Sequence, residues 1–162
     1  GSYVAATKSI GFDGVLYFYA NNEQVRDRDF EQALKEQLDW KLDRIMPSVV
    51  SADSSLVEQI CQDDVIHGVT IAANGFYGPQ GRKVRLALAD PDLNHKIESF
   101  HWDKYQITNF EMESSSLAGL AALMGHRAMT VCCIIADRLG GKMNTEYKGS
   151  IPDLIRKVLE RI

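Results

Sequence analysis

The sequence predicts an α/β fold with a largely buried sheet, and three observations lead there. Strand-like and helix-like runs alternate along the chain. The run "RAMTVCCIIAD" (127–137) is apolar through its middle, as in a strand covered on both faces. Two segments, "NNEQVRDRDFEQALKEQLDW" (21–40) and "SIPDLIRKVLERI" (150–162), space apolar residues as amphipathic helices do. The chain has 162 residues, 45% apolar and 25% charged, so it can bury a core and is not of disordered composition.

Taken in order, "GSYVAATKSIGFDGVLYFYA" (1–20) reads as a strand with "GFDG" as its turn. In 21–40, Val25, Phe30, Leu34 and Leu38 are expected to line one helix face. "SADSSLVEQICQD" (51–63) reads as a short capped helix with Leu56, Ile60 and Cys61 inward. "HGVTIAANGFYGPQGRKVRL" (67–86) is β-rich and broken by glycines and a proline, and 91–100 reads as a short helix. "EMESSSLAGLAALMGH" (111–126) predicts a helix with Leu117, Leu120 and Met124 on one side and Gly125 as its stop. The last segment predicts a helix with Ser150 as cap and Pro152 near the first turn. No internal repeat or low-complexity linker interrupts this order.

A formal net charge of -4 without a Lys/Arg cluster argues against a nucleic-acid surface. No apolar run approaches the ~20 residues of a membrane span, and no secretory leader is visible, so a cytoplasmic protein is expected. Cys61, Cys132 and Cys133 form no CxxC motif and read as small core hydrophobes in a reducing compartment. His67, His95, His101 and His126 have no ligand spacing, so no metal site is expected.

Three places carry chemistry. In "GFYGPQGR" (75–82), glycines and Pro79 give a loop of specific shape. Gln80 and Arg82 are two apart, so in an extended chain they project to one side and offer a donor, an acceptor and a charged fork. That set suits a planar ring of alternating carbonyl and N–H groups, with Phe76 stacking on it. A polar surface turn fits the same residues. In "NFEMES" (109–114), one reading is a helix start, with Asn109 capping and acids in the first turn. The other is a carboxylate accepting from two vicinal sugar hydroxyls, with Met112 against the sugar's apolar face. In "IIADRL" (134–139), Asp137 and Arg138 follow a buried strand, where open α/β sheets bind ligands. A catalytic pair and a structural ion pair both suit them.

Together, "GFYGPQGR", "NFEMESSSLAGLAALMGH" and "VCCIIADRL" resemble, in order and spacing, the nucleoside phosphorylase family, uridine phosphorylases in particular. The opening "VAATKSIGFDG" resembles a strand and turn midway through that family's chains. The resemblance implies a three-layer fold, a central mixed β-sheet flanked by helices, with residues 1–162 as the C-terminal part of a single domain. It implies phosphorolysis of uridine to uracil and ribose 1-phosphate, with inorganic phosphate as co-substrate and no metal or organic cofactor. Gln80 would meet uracil N3 and O2, Arg82 would meet O4, and Phe76 would lie against the nucleoside. Glu113 would hold the 2′- and 3′-hydroxyls with Met112 under the ribose, and Glu111 would organise the site. Arg138 matches a family arginine near the Gln/Arg pair, and Ile135 and Ala136 match apolar positions of the base pocket. Dimers or hexamers are implied as well.

Two departures qualify the resemblance. Asp137 stands where uridine enzymes carry Asn and where purine nucleoside phosphorylases carry a proton-donating Asp, so a purine substrate is the alternative. The family's phosphate site, a glycine-containing loop with arginines and a threonine, has no counterpart among these residues. The strand-rich beginning is therefore expected to lack several of its sheet partners, and the chain is expected to need the missing N-terminal part for phosphorolysis. Without it, a non-catalytic nucleoside-binding module is a further reading.

Overall fold

The computed structural model describes residues 2–137, 140, 141, 143–145 and 147–162. Its centre is β1 (Tyr3–Gly11), buried along nearly its whole length. One edge of β1 pairs in parallel with β3 (Val65–Ala72), from Tyr3↔Val65 to Gly11↔Ala72, with a register shift between Ala6 and Lys8. The other edge carries two antiparallel partners: β2 (Ser48–Ser51) against Lys8–Gly11 and β6 (Val131–Cys133) against Tyr3–Ala5. β5 (Tyr105–Glu111) continues in parallel beyond β3, and β4 (His101–Trp102) folds back antiparallel on β5. The sheet is mixed, as expected, and three strands pair with β1.

Helices cover both faces. α1 (Arg28–Gln37) starts at Asp27, whose carboxylate accepts from Phe30 N at 3.1 Å. Phe30, Leu34 and Leu38 then bury together with Ile10, Phe12, Val49 and Ile71, and α3 (Leu93–Ser99) adds Leu93 and Ile97. Val25 does not join that face. The chain before Asp27 is a separate short turn, and Val25 packs with Leu16, Val50 and Ala118 instead. Because Val49 and Val50 alternate along β2, these two clusters lie on opposite faces of the sheet. α4 (Ser114–Leu123) supplies the second face, giving three layers. A third cluster joins Tyr3, Ala5 and Val65 to Cys61, Val131 and Leu154. There α2 (Ser54–Ile60), capped by the Asp53 carboxylate on Leu56 N at 3.0 Å, meets α5 (Tyr147–Glu160).

Three further elements differ from the sequence expectation. α4 buries Ser114, Ser115, Ala118, Gly119 and Ala121, while Leu117 and Met124 are 51% and 64% exposed. Small residues win because the helix lies close to its neighbours: a Cβ on Gly119 would sit 2.7 Å from Leu16. β6 spans three half-buried residues, not a strand covered on both faces; Ile134 and Ile135 leave the sheet and turn to a cavity wall. α5 begins before Ser150, so Ser150 and Pro152 are inside the helix and Ser150 is no cap; its carbonyl accepts from the Tyr3 hydroxyl at 2.9 Å.

One buried ion pair ties the layers together. Arg26 donates to Glu31 through Nε at 2.8 Å and Nη2 at 2.6 Å, and Val49 N donates to Glu31 Oε1 at 3.0 Å. The two side chains are 7% and 2% exposed. Removing one member strands the other charge, so Glu31→Ala is expected to lower unfolding free energy by about 3–5 kcal/mol in chemical denaturation. Arg156→Ala, whose pair with Asp153 is at the surface, is expected to change it by less than about 1 kcal/mol.

Candidate functional site

The parallel strands β3 and β5 end at a cavity of about 750 Å³. The loop after β3 contributes Phe76, Gln80 and Arg82; the end of β5 contributes Glu111 and Met112. Ile135, Ala136 and Asp137 come from the chain following β6. The carboxyl ends of parallel strands are where such sheets open a crevice, because the helices that follow them diverge. A second cavity of about 700 Å³, lined by Phe12, Trp40, Tyr77 and Leu86 among others, shares only Arg82 with the first among the described residues.

The Gln80–Arg82 stretch is not extended. Gly78–Gln80 is a 3-10 turn, closed by Gly81 at φ 72°, with Gly81 N donating to Gly78 O at 2.8 Å and Arg82 N to Tyr77 O at 2.8 Å. The turn still brings the two side chains together. Arg82 Nη1 donates to Gln80 Oε1 and to the Phe76 carbonyl, both at 2.6 Å, and the guanidinium lies 3.7 Å over the Phe76 ring. A planar cation stacked and bonded in this way loses little further freedom when a ligand arrives. Gln80 is 3% exposed, whereas Phe76 is more than half exposed.

At the other wall, Asn109 does not cap α4. Its side chain lies across the sheet, where Thr70 Oγ1 donates to Asn109 Oδ1 at 2.7 Å. Glu111 holds the helix start instead. One carboxylate oxygen accepts from Glu113 N at 2.7 Å and Ser114 N at 2.8 Å; the other accepts from Ser114 Oγ at 2.6 Å. From the turn after β1, Asp13 Oδ2 accepts from Ser115 Oγ at 2.7 Å and Ser116 Oγ at 3.0 Å. Glu113 occupies the N-cap position without a side-chain cap bond, is exposed, and does not line the cavity.

A family model, the Phosphorylase superfamily, matches residues 1–161. The chain belongs to that superfamily. Uridine phosphorylase A of Schistosoma mansoni is 37% identical over 83 residues, which is 50% of this chain and 27% of the relative. The uridine phosphorylase of Thermococcus kodakarensis is 36% identical over 78 residues, 44% of this chain and 25% of the relative. The crystal structure of a Trypanosoma brucei nucleoside phosphorylase, described as having uridine phosphorylase activity, superposes with a TM-score of 0.84 at 22% identity. It is covered over 57% of its length by 99% of this chain, so the chain spans little more than half of that phosphorylase fold.

Of the site residues anticipated from the sequence, eight share the cavity: Phe76, Gln80, Arg82, Glu111, Met112, Ile135, Ala136 and Asp137. Asp137 Oδ1 accepts from Gly140 N at 2.9 Å. Arg138 lies outside the described residues. Asn94, Ile97 and Glu98 of α3, Asn109 and Cys132 also line the cavity and were not anticipated there. For α3 the only sequence signal is that Asn94 and Glu98 are one helical turn apart, which does not separate a cavity wall from a solvated face.

Cys132 faces Glu111 and Asn109. Burial first, and then the Glu111 charge, push its thiol up to about 11, against a hydrogen bond from Asn109 that favours the thiolate. At neutral pH it is a protonated wall residue, not a nucleophile. Alkylation of Cys132 by iodoacetamide, followed by mass spectrometry, is expected to keep accelerating as pH rises beyond 9.0, the ordinary thiol value, towards about 11.

Proposed function

We propose that the protein carrying this chain catalyses phosphorolysis of uridine to uracil and ribose 1-phosphate. The observation that carries this reading is the Gln80–Arg82 contact at 2.6 Å within the cavity that also holds Glu111 and Met112. Matching uridine phosphorylases in sequence supports it. As a phosphate oxygen bonds to C1′, the C1′–N1 bond breaks and its electron pair leaves with uracil. The sugar passes through a cation-like state and the base becomes an anion.

Arg82, directed at O4, and the Gln80 amide, directed at N3 and O2, meet charge that is larger in the transition state than in bound uridine. That difference, not tight binding of uridine itself, is what accelerates the step. The Arg82 bond to Gln80 Oε1 also fixes which end of the amide faces which way, as a planar ring with alternating donors and acceptors requires. Glu113, left exposed while Glu111 holds the helix, takes the 2′- and 3′-hydroxyls, and Met112 packs beneath the ribose. Residues 1–162 form the C-terminal part of one phosphorylase domain. The phosphate site is supplied from outside this chain, in a cytoplasmic dimer or hexamer, and the chain alone does not turn over uridine.

Asp137 favours one second reading, purine nucleoside phosphorolysis, because a purine leaves best when N7 is protonated by a nearby acid. Phosphate-dependent release of uracil from uridine and of hypoxanthine from inosine, measured on the full-length protein, separates the two. Gln80→Ala and Arg82→Ala are each expected to lower kcat/KM for uridine by roughly a hundredfold, about 3 kcal/mol apiece. Asp137→Asn is expected to leave uridine turnover within about twofold. Release of hypoxanthine alone, lost in Asp137→Asn, would replace the uridine reading with the purine one.

A further inference from the structure

We infer that Asn94 is the positioning residue of the Gln80–Gly81–Arg82 turn, an inference that rests on the uridine reading for the role of Gln80. Asn94 lies in the first turn of α3, fourteen positions from Gln80 in sequence, and its side chain reaches back to the turn. Its Nδ2 donates to the Gln80 carbonyl at 3.4 Å. A Cβ built on Gly81 would stand 2.2 Å from Asn94 Nδ2 and 2.6 Å from Oδ1, so the Asn94 amide fills the space a side chain at 81 would need. Gly81 is thus required twice, by its φ of 72° and by the amide seated on it.

The amide has one workable orientation. Exchanging its ends would set two oxygens against each other beside the Gln80 carbonyl. With Nδ2 on that carbonyl, Asn94 Oδ1 is buried and has no hydrogen-bond partner among the described residues. An unsatisfied buried acceptor is unfavourable, and an apolar side chain of the same shape would avoid it. What an apolar side chain cannot supply is the donor to Gln80. The chain of contact therefore runs from α3 through Asn94 to the Gln80 backbone, then from the Gln80 amide to Arg82 and Phe76. Asn94 acts on a ligand through Gln80, with its helix as the rigid support.

The test is a double-mutant cycle on the full-length protein, using Asn94→Ala, Gln80→Ala and the pair. Asn94→Ala is expected to raise KM for uridine about tenfold and to leave KM for phosphate within about twofold. In the Gln80→Ala background the same substitution is expected to change uridine kinetics clearly less, about threefold, because the Gln80 side chain is gone and only the placement of Arg82 is left to lose. An equal loss in both backgrounds, or no loss in either, would overturn the inference. Asn94→Asp keeps the volume but sets a carboxylate oxygen against the Gln80 carbonyl; it is expected to reproduce the loss and serves if the alanine variant is unfolded. The Gln80 side-chain amide signal in a 15N-correlated NMR spectrum, assigned by its disappearance in Gln80→Ala, gives a readout independent of turnover. It is expected to shift in Asn94→Ala. An unmoved signal sinks the positioning role, whereas a moved signal without uridine turnover in the wild-type protein sinks only the uridine reading.

Discussion

Two carboxylates from two different strand ends grip the first turn of α4, and the shape of the cavity depends on that grip. Glu111, the last residue of β5, and Asp13, in the turn after β1, together accept from the hydroxyls of Ser114, Ser115 and Ser116. Glu111 also takes two backbone N–H groups that a helix start leaves unpaired. Hydrogen bonds to charged groups contribute about 1.5–3 kcal/mol each, and both acids sit where the helix dipole favours negative charge. The chain between β5 and α4 therefore has no slack, and Met112 and Glu113 emerge from it in fixed places. The two acids flanking Met112 have different work: one builds the turn, and the other is left projecting from it.

Much of this was legible in the sequence because it depends on local pattern. Phe30, Leu34 and Leu38 repeat at the helical interval and are buried together. The site residues sit where strands were expected to end, and they gather because parallel strands end on one side of a sheet. What was not legible depends on size and on distant partners. The α4 stretch is apolar on nearly every side, so hydrophobicity could not tell which side faces in; the smallness of Ala118 and Gly119 decides it, since they let the helix approach Leu16. The pairing of β1 is invisible locally, because β2, β3 and β6 come from 48–51, 65–72 and 131–133. The three consecutive serines were a usable signal: hydroxyls clustered in a first helical turn ask for acceptors, and two acids stood nearby in the fold.

Extended-chain spacing does not account for the contact between Gln80 and Arg82. An extended chain would set both side chains on one side, yet the backbone there is a 3-10 turn closed by a left-handed glycine. The side chains meet because the turn reverses the chain and the guanidinium folds over Phe76 onto the Gln80 amide. The turn, not the spacing, sets the two side chains together, and it gives the pair rigidity, since Arg82 is held by a carbonyl, an amide oxygen and a ring face at once.

The cavity's charges come from several elements. A guanidinium, stacked and bonded, stands on the wall formed by the loop after β3, and carboxylates come from the end of β5 (Glu111), from α3 (Glu98) and from the chain after β6 (Asp137). Cys132, between the two walls in the fold, stays protonated and adds no charge. On the proposed reading, the departing base becomes negative as the sugar becomes positive, and the Arg82 guanidinium, already stacked and bonded, would meet the base's charge without moving. The opposite orientation would set the leaving anion against the carboxylate end of β5. The proposed orientation, uracil towards Arg82 and ribose towards the start of α4, is therefore the one that sets the leaving base against the guanidinium of the cavity.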